Sequence, residues 1–181
     1  MNKYKGLLLA LLVSVVVFGC ATNNTGSANA ASGDVEGRHV EAAGGFSILV
    51  PKSWQTMEWP GLKYQVIIGP SAYDFTPNIN FVDESYNGRL EAYVDACLEV
   101  LKQIFYFELI QRNEFVTAKN LKGEKVIIHS VQNERPYRQT FYFFSGRNGK
   151  QLLATCTVPV DAGTSYDGLF DNTLKSFEWT D

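Results

Sequence analysis

One change of period governs what this chain can become. In "RLEAYVDACLEVLKQIF", Arg89 to Phe105, apolar residues recur at steps of three and four: Leu90, Val94, Cys97, Leu98, Leu101 and Phe105. That spacing makes one apolar stripe of an amphipathic helix. Glu91 and Asp95 near its start and Lys102 near its end suit the helix dipole. On both sides of this helix the period falls to two, so a helix is set between strand-forming segments.

Upstream, "GGFSILVPKSWQ" alternates Phe46, Ile48 and Val50 with Ser47 and Leu49 and closes at Pro51, which reads as a strand. "LKYQVIIG" at 62–69 and "NINFVDES" at 78–85 are the next candidates, punctuated by Pro60-Gly61 and Gly69-Pro70. Downstream, strands are expected at about 107–117, 124–133, 137–145 and 150–159, joined by "NLKG", "NERP" and "GRNG". Asn148-Gly149 in the last of these is a hairpin signal. A second helix, "SYDGLFDNTLKSF" at 165–177, gathers Tyr166, Leu169, Phe170, Leu174 and Phe177 on one face. Successive hairpins followed by a helix imply an α+β domain with a mainly antiparallel sheet covered by helices.

The chain opens quite differently. "MNKYKGLLLALLVSVVVFG", residues 1–19, has two lysines and then 14 apolar or small residues. A membrane-crossing helix needs roughly 20 apolar residues, so this run fits a secretory signal peptide. Two cleavage points compete. Ala28-Asn29-Ala30 has the small-x-small pattern but lies about ten residues beyond the apolar run. Val17-Phe18-Gly19-Cys20 sits at its boundary and resembles the lipobox of bacterial lipoproteins, with Phe18 where a small residue is usual. On that reading Cys20 carries the lipid and becomes the N-terminus. Two acyl chains, at about 0.8 kcal/mol per buried methylene, make a lasting anchor. Residues 20–43 are then a lipidated cysteine and a polar tether, and the domain occupies 44–181.

Composition narrows the partners. Loss of the leader removes Lys3 and Lys5 and no acid, leaving 14 basic and 19 acidic residues and a net charge of −5. Nucleic acid selects a basic face, and anionic lipid a basic patch, so neither is an expected electrostatic partner. The lipid supplies the membrane contact instead. Because Ala21 follows Cys20, the reading favours the outer membrane over the inner one where a cell has two.

The order of the pieces "GFSILVPKSWQ", "LEAYVDACLEVLKQ", "FELIQRNEFVTAKNLKGEKVIIHSV", "YRQTFYFFSGRNGKQLLATCTV" and "YDGLFDNTLKSFEW" resembles the PsbP-like domain. That family includes the extrinsic photosystem II subunit, DcrB-type bacterial lipoproteins and a Ran-binding nuclear transport factor. The resemblance covers about residues 44–179. It implies an α/β/α sandwich around an antiparallel sheet and a role in binding or assembly, with no shared catalytic residues to carry over.

Cys97 and Cys156 have two readings. An even pair outside the cytoplasm suggests a disulfide, and one closing about 60 residues would contribute roughly 4 kcal/mol. Equally, both can be buried thiols acting as small apolar groups. Cys97 is on the stripe of the first helix, and Cys156 shares a strand face with Leu152, Ala154 and Val158. The bond requires that face to lie beneath the same helix.

No pattern points to catalysis, a cofactor or a metal. His39 and His129 have no partners at ligand spacing. His129 and Ser130 are adjacent in a strand and point to opposite faces. Asp83, Ser85, Asn87 and Gly88 mimic half a calcium loop, but its twelfth position is Val94 rather than glutamate. The expectation is a non-enzymatic envelope lipoprotein that binds another envelope protein, with Trp54, Trp59 and Tyr64 marking the partner surface. A carrier or sensor of a small ligand, using a cleft between sheet and helix, is the alternative.

Overall fold

The computed structural model describes residues 34–146 and 149–180. The leader, Cys20 and Asn148 of the last hairpin lie outside these residues. In chain order the strands are β1 (Val35–Glu41), β2 (Phe46–Pro51), β3 (Gln55–Met57), β4 (Val66–Ile68) and β5 (Asn78–Ser85). Helix α1 (Leu90–Ile104) follows, then β6 (Phe107–Val116), β7 (Lys122–Gln132), β8 (Arg135–Ser145) and β9 (Lys150–Pro159). A short 3₁₀ turn, helix α2 (Asp167–Lys175) and β10 (Glu178–Trp179) close the chain.

Seven strands form one antiparallel sheet in the order β3-β4-β5-β9-β8-β7-β6. Three more form a small antiparallel sheet, β1-β2-β10. The fold is α+β, and alternation along the central strands divides the side chains between two cores. Val126, Ile128, Phe141, Phe143 and Leu153 face α1 through Tyr93, Val94, Cys97 and Leu101. Ile79, Phe81, Tyr142, Phe144, Leu152 and Cys156 face the other way, toward Phe46 and Ile48 of β2 and Leu169, Phe170 and Leu174 of α2. The second face is therefore closed by a helix and a small sheet together, where the sequence suggests helices alone.

Aromatic rings join that small sheet to the main one. Phe46 meets Tyr64, Phe81 and Phe177 at centroid distances of 5.0–5.5 Å. Phe177 in turn stacks on Phe144 of β8 at 4.7 Å and 4°. Burying rings of this size is the largest apolar contribution a side chain can make, and offset pairs add about 0.5–1.5 kcal/mol each.

Three sequence expectations need correction. The tether does not reach residue 43, because Val35–Glu41 forms β1 against β2. Its pattern hid from alternation because Gly37 adopts φ +73° and the register shifts between Val35 and Arg38. The candidate strand 62–69 is confined to Val66–Ile68, with 62–65 irregular. Finally, Cys97 and Cys156 are free and buried, in the cores on opposite faces of the sheet. Cys156 faces α2, not α1, so the disulfide reading gives way to two apolar thiols. Burial pushes the Cys97 thiol up to about 12, despite the opposing contact from Tyr93, and raises Cys156 as well.

The β7–β8 hairpin pairs Gln132 with Arg135 across only two residues, Asn133 at φ 50° and Glu134 at φ 65°. Two left-handed residues define a type I′ turn, whose second position favours glycine. Glu134→Gly should therefore stabilise the protein by about 0.5–1 kcal/mol, the left-handed strain relieved less the extra freedom of an unfolded glycine. Urea unfolding at pH 7 reads this directly; an unchanged or lower midpoint contradicts it.

Candidate functional site

The three aromatic residues expected to form a partner surface are placed quite differently from one another. Trp54 packs edge-on against Tyr166 and Phe170, with Gly69 beneath its indole so closely that a Cβ there would come within 2.5 Å. Tyr64 is buried, 3 % exposed, its ring against Phe46. Both are thus core-facing, which corrects the expectation for them as exposed rings. Trp59 is half-buried and walls a cleft.

That cleft has two lobes meeting at Tyr64. The larger, about 590 Å³, is lined by Glu41, Glu58, Trp59, Leu62, Lys63 and Tyr64. The smaller, about 210 Å³, is lined by Gly44, Gly45, Tyr64, Asp83, Lys150 and Trp179 among others. Gly44 has no room for a side chain: a Cβ would lie 2.4 Å from the Phe46 ring and 3.0 Å from that of Tyr64. The β1–β2 turn can therefore approach the aromatic floor closely only with glycine there.

At the junction, Asp83 of β5 accepts hydrogen bonds from two lysines. Lys63 Nζ is 2.8 and 2.9 Å from its two oxygens, and Lys150 Nζ is 2.8 Å from Oδ2. Lys63 also lies over the Tyr64 ring, 4.6 Å from its centroid. The Tyr64 hydroxyl touches both Lys63 and Asp83. Burial alone would raise the Asp83 pKa, but the hydrogen bonds from Lys150 and Lys63 outweigh it and hold the carboxyl below the usual carboxylate range. Burial likewise disfavours the Lys63 charge, and its bond to Asp83 reverses the sign. Two ammonium groups, each about half-exposed, thus share one carboxylate and leave the cluster with an excess positive charge. This cluster can receive an anionic group, while Glu41 and Glu58 mark an acidic far wall.

Asp83 falls within the expected strand 78–85, which is β5, and lies opposite Leu152. Its phase was the available signal: Asp83 follows Ile79 and Phe81 at steps of two, a carboxylate on a buried face. Its lysines, 20 and 67 residues away, could not be found by local spacing.

Neither histidine lines this cleft. His39 lies in β1, 3.7 Å from Glu41 Oε2. Arg138 donates to His129 Nε2 at 3.1 Å, while the Ser130 hydroxyl donates to Gln139 at 2.8 Å on the opposite face. His129 belongs to a second polar cluster that fastens α2 to the sheet. Arg138 grips both oxygens of Asp167 at 3.0 and 2.6 Å, and Lys125 and the Tyr142 hydroxyl each donate to Asp171 Oδ1 at 2.6 Å. Among the described residues no three His, Cys, Asp or Glu side chains are grouped to hold a metal.

No family model and no curated protein matches the chain. Solved structures do. Cyanobacterial PsbP (CyanoP) from Synechocystis sp. PCC 6803 is similar over 87 % of this chain and 98 % of its own, with a TM-score of 0.58 and 15 % identity. The fold is PsbP-like. LpqN of Mycobacterium tuberculosis, involved in cell envelope biogenesis, matches over 75 % of this chain and 83 % of its own at a TM-score of 0.59 and 12 % identity. The Ran-binding protein Mog1p of Saccharomyces cerevisiae matches over 82 % and 97 % at 0.58 and 11 %. At such identities the likeness is one of fold.

Because the folded-state pKa of Asp83 is depressed, its ion pairs stabilise the protein above the unfolded carboxylate value, about pH 4, and fade as pH falls through the lower folded value. Asp83→Asn should lower the urea midpoint at pH 7 and converge with the parent as the pH falls through the folded-state value. Parallel curves across that range would show that the cluster contributes nothing through its charge.

Proposed function

We propose that this protein is a non-catalytic docking module of a bacterial cell envelope, held to the membrane by lipid on Cys20, in the manner of DcrB-type lipoproteins. The observation that carries the docking reading is the convergence of Lys63, Lys150 and Asp83 at the floor of a cleft walled by Trp59 and Trp179. Exposed ammonium groups beside aromatic walls suit an acidic side chain of another envelope protein, aromatic rings supplying contact area and lysines orientation. The described residues offer no arrangement of nucleophile, base and oxyanion donors around that cleft. LpqN, whose fold is similar, is involved in cell envelope biogenesis, which accords with this reading.

The carrier alternative has less support. The groove between helix and sheet, lined by Leu98, Lys102, Phe107 and Leu109 among others, measures about 230 Å³ and is open. Pockets that enclose small ligands run to about 300–1,000 Å³. With β1 beginning at Val35, 14 residues separate it from Cys20, so the domain is held within about 50 Å of its anchor. That reach keeps the cleft close to other membrane-bound proteins.

Two experiments test the reading. A photo-crosslinking amino acid at position 59 in living cells should give a discrete adduct that disappears with Lys63→Glu and Lys150→Glu. The same probe at position 134, at the tip of the β7–β8 turn, should give none. Identical patterns from both positions would refute the cleft as the docking site. Separately, Cys20→Ala should abolish incorporation of labelled palmitate and leave unprocessed precursor; persistent labelling removes the anchor.

A further inference from the structure

Of the eight exposed large hydrophobic side chains among the described residues, six lie along one edge: Ile104, Tyr106, Leu109, Ile110, Val116 and Val131. All lie on β6 or beside its start, and Val131 N donates to Tyr106 O. Strand β6 is also the outer edge of the seven-stranded sheet, paired with β7 on one side only along ten residues. Among the described residues its outward backbone N–H and C=O groups have no strand partner. Edges left this way are normally shielded by proline, lysine, a bulge or a covering element. Here the register shifts between Leu109 and Gln111, leaving Ile110 as an extra residue, but the strand contains neither proline nor lysine.

We propose that β6 is a strand-addition site for an extended segment of another protein, one that alternates apolar and basic residues. Backbone pairing would supply the affinity, and contacts with Leu109, Ile110 and Val116 the register. Charge sets the partner's chemistry. Arg112 is committed to Asp95 at 2.5 Å and Glu124 at 2.7 Å, and Lys102 to Glu99 at 2.7 Å. Glu114 has only Lys122 at 3.6 Å, and Glu108 has no ionic partner among the described residues. The edge therefore presents surplus carboxylate beside apolar surface.

A second copy of this chain fits poorly. Strand β6 has one basic residue, Arg112, already committed, so a second copy brings more carboxylates and no free cation, and pairing centred on Arg112 sets the two arginines face to face. Like charges directly opposite are destabilising. A segment that sets a free basic residue opposite Glu108 or Glu114 neutralises that carboxylate, which a second copy cannot do. This edge is independent of the cleft, since four strand positions separate β5 from β6 in the sheet.

The test uses the full-length protein in neutral detergent and a synthetic acetylated peptide of five Val-Lys repeats. Hydrogen exchange followed by mass spectrometry should show saturable protection of residues 107–116, and little elsewhere, on adding that peptide. Leu109→Lys with Val116→Lys should weaken binding about tenfold or more, a change expected of edge gatekeepers. Both side chains are well exposed, so retention of the parent circular dichroism spectrum and urea midpoint checks that the variant folds. Equal protection by a Val-Glu peptide, protection confined to the cleft, no protection at all, or concentration-dependent self-protection without peptide would each overturn the proposal. The last outcome would assign the edge to a second copy. Failure of the photo-crosslink at position 59 would leave this result untouched, because the two surfaces are read separately.

Discussion

Burial on both faces of β8 and β9 is the constraint from which the rest follows. Every residue from Tyr137 to Phe144 and from Gln151 to Pro159 is buried. A strand in that position has no solvent side, so period two ceases to separate polar from apolar and instead sorts side chains between two cores. Phe141 and Phe143 go beneath α1, and Tyr142 and Phe144 go beneath α2 and the small sheet. The aromatic run "TFYFFSG" is the direct expression of that demand. So is the separation of the two cysteines, which no rearrangement short of slipping a strand by one residue could undo.

The same architecture explains why one polar cluster is sealed and another open. Lys125 and Arg138 stand at central positions, and their side chains are only 9 % and 8 % exposed. Asp171 and Asp167 of α2 neutralise them and give that helix a fixed seat. Removing one member of such a pair strands a charge, at a cost of about 3–5 kcal/mol. Asp83 instead stands on β5 beside the cleft, where its lysines remain about half in water. The first cluster locks structure. The second stays open to the cleft.

Much of the fold was legible because long strands and a long helix announce their periods over many residues. α1, β7, β8, β9 and α2 all fell within a few positions of the expected bounds. What stayed hidden was short, irregular or remote. β1 carries a bulge and three charged residues among its seven, and β3 has three residues, too few for any period to register. The cleft was half visible: Trp59 and Tyr64 fell in the expected region, while Lys150 and Asp83, 67 residues apart in sequence, meet only because β5 and β9 are neighbours. Trp54 misled because a tryptophan among turn residues reads as exposed, and only the fold supplies Gly69, Tyr166 and Phe170 to receive it.

The placement of the thiols bears on how they would fare in an oxidising compartment. Cys97 and Cys156 are both fully enclosed, and burial favours the protonated, unreactive form of each. Thiolate is the species that attacks disulfides and oxidants, so the native state is chemically inert at both positions. Vulnerability is confined to the interval before collapse, when either sulfur can be captured in a wrong bond. Rapid acquisition of structure therefore protects the chain twice, against aggregation and against covalent misjoining, with no need of an isomerase to correct a native bridge.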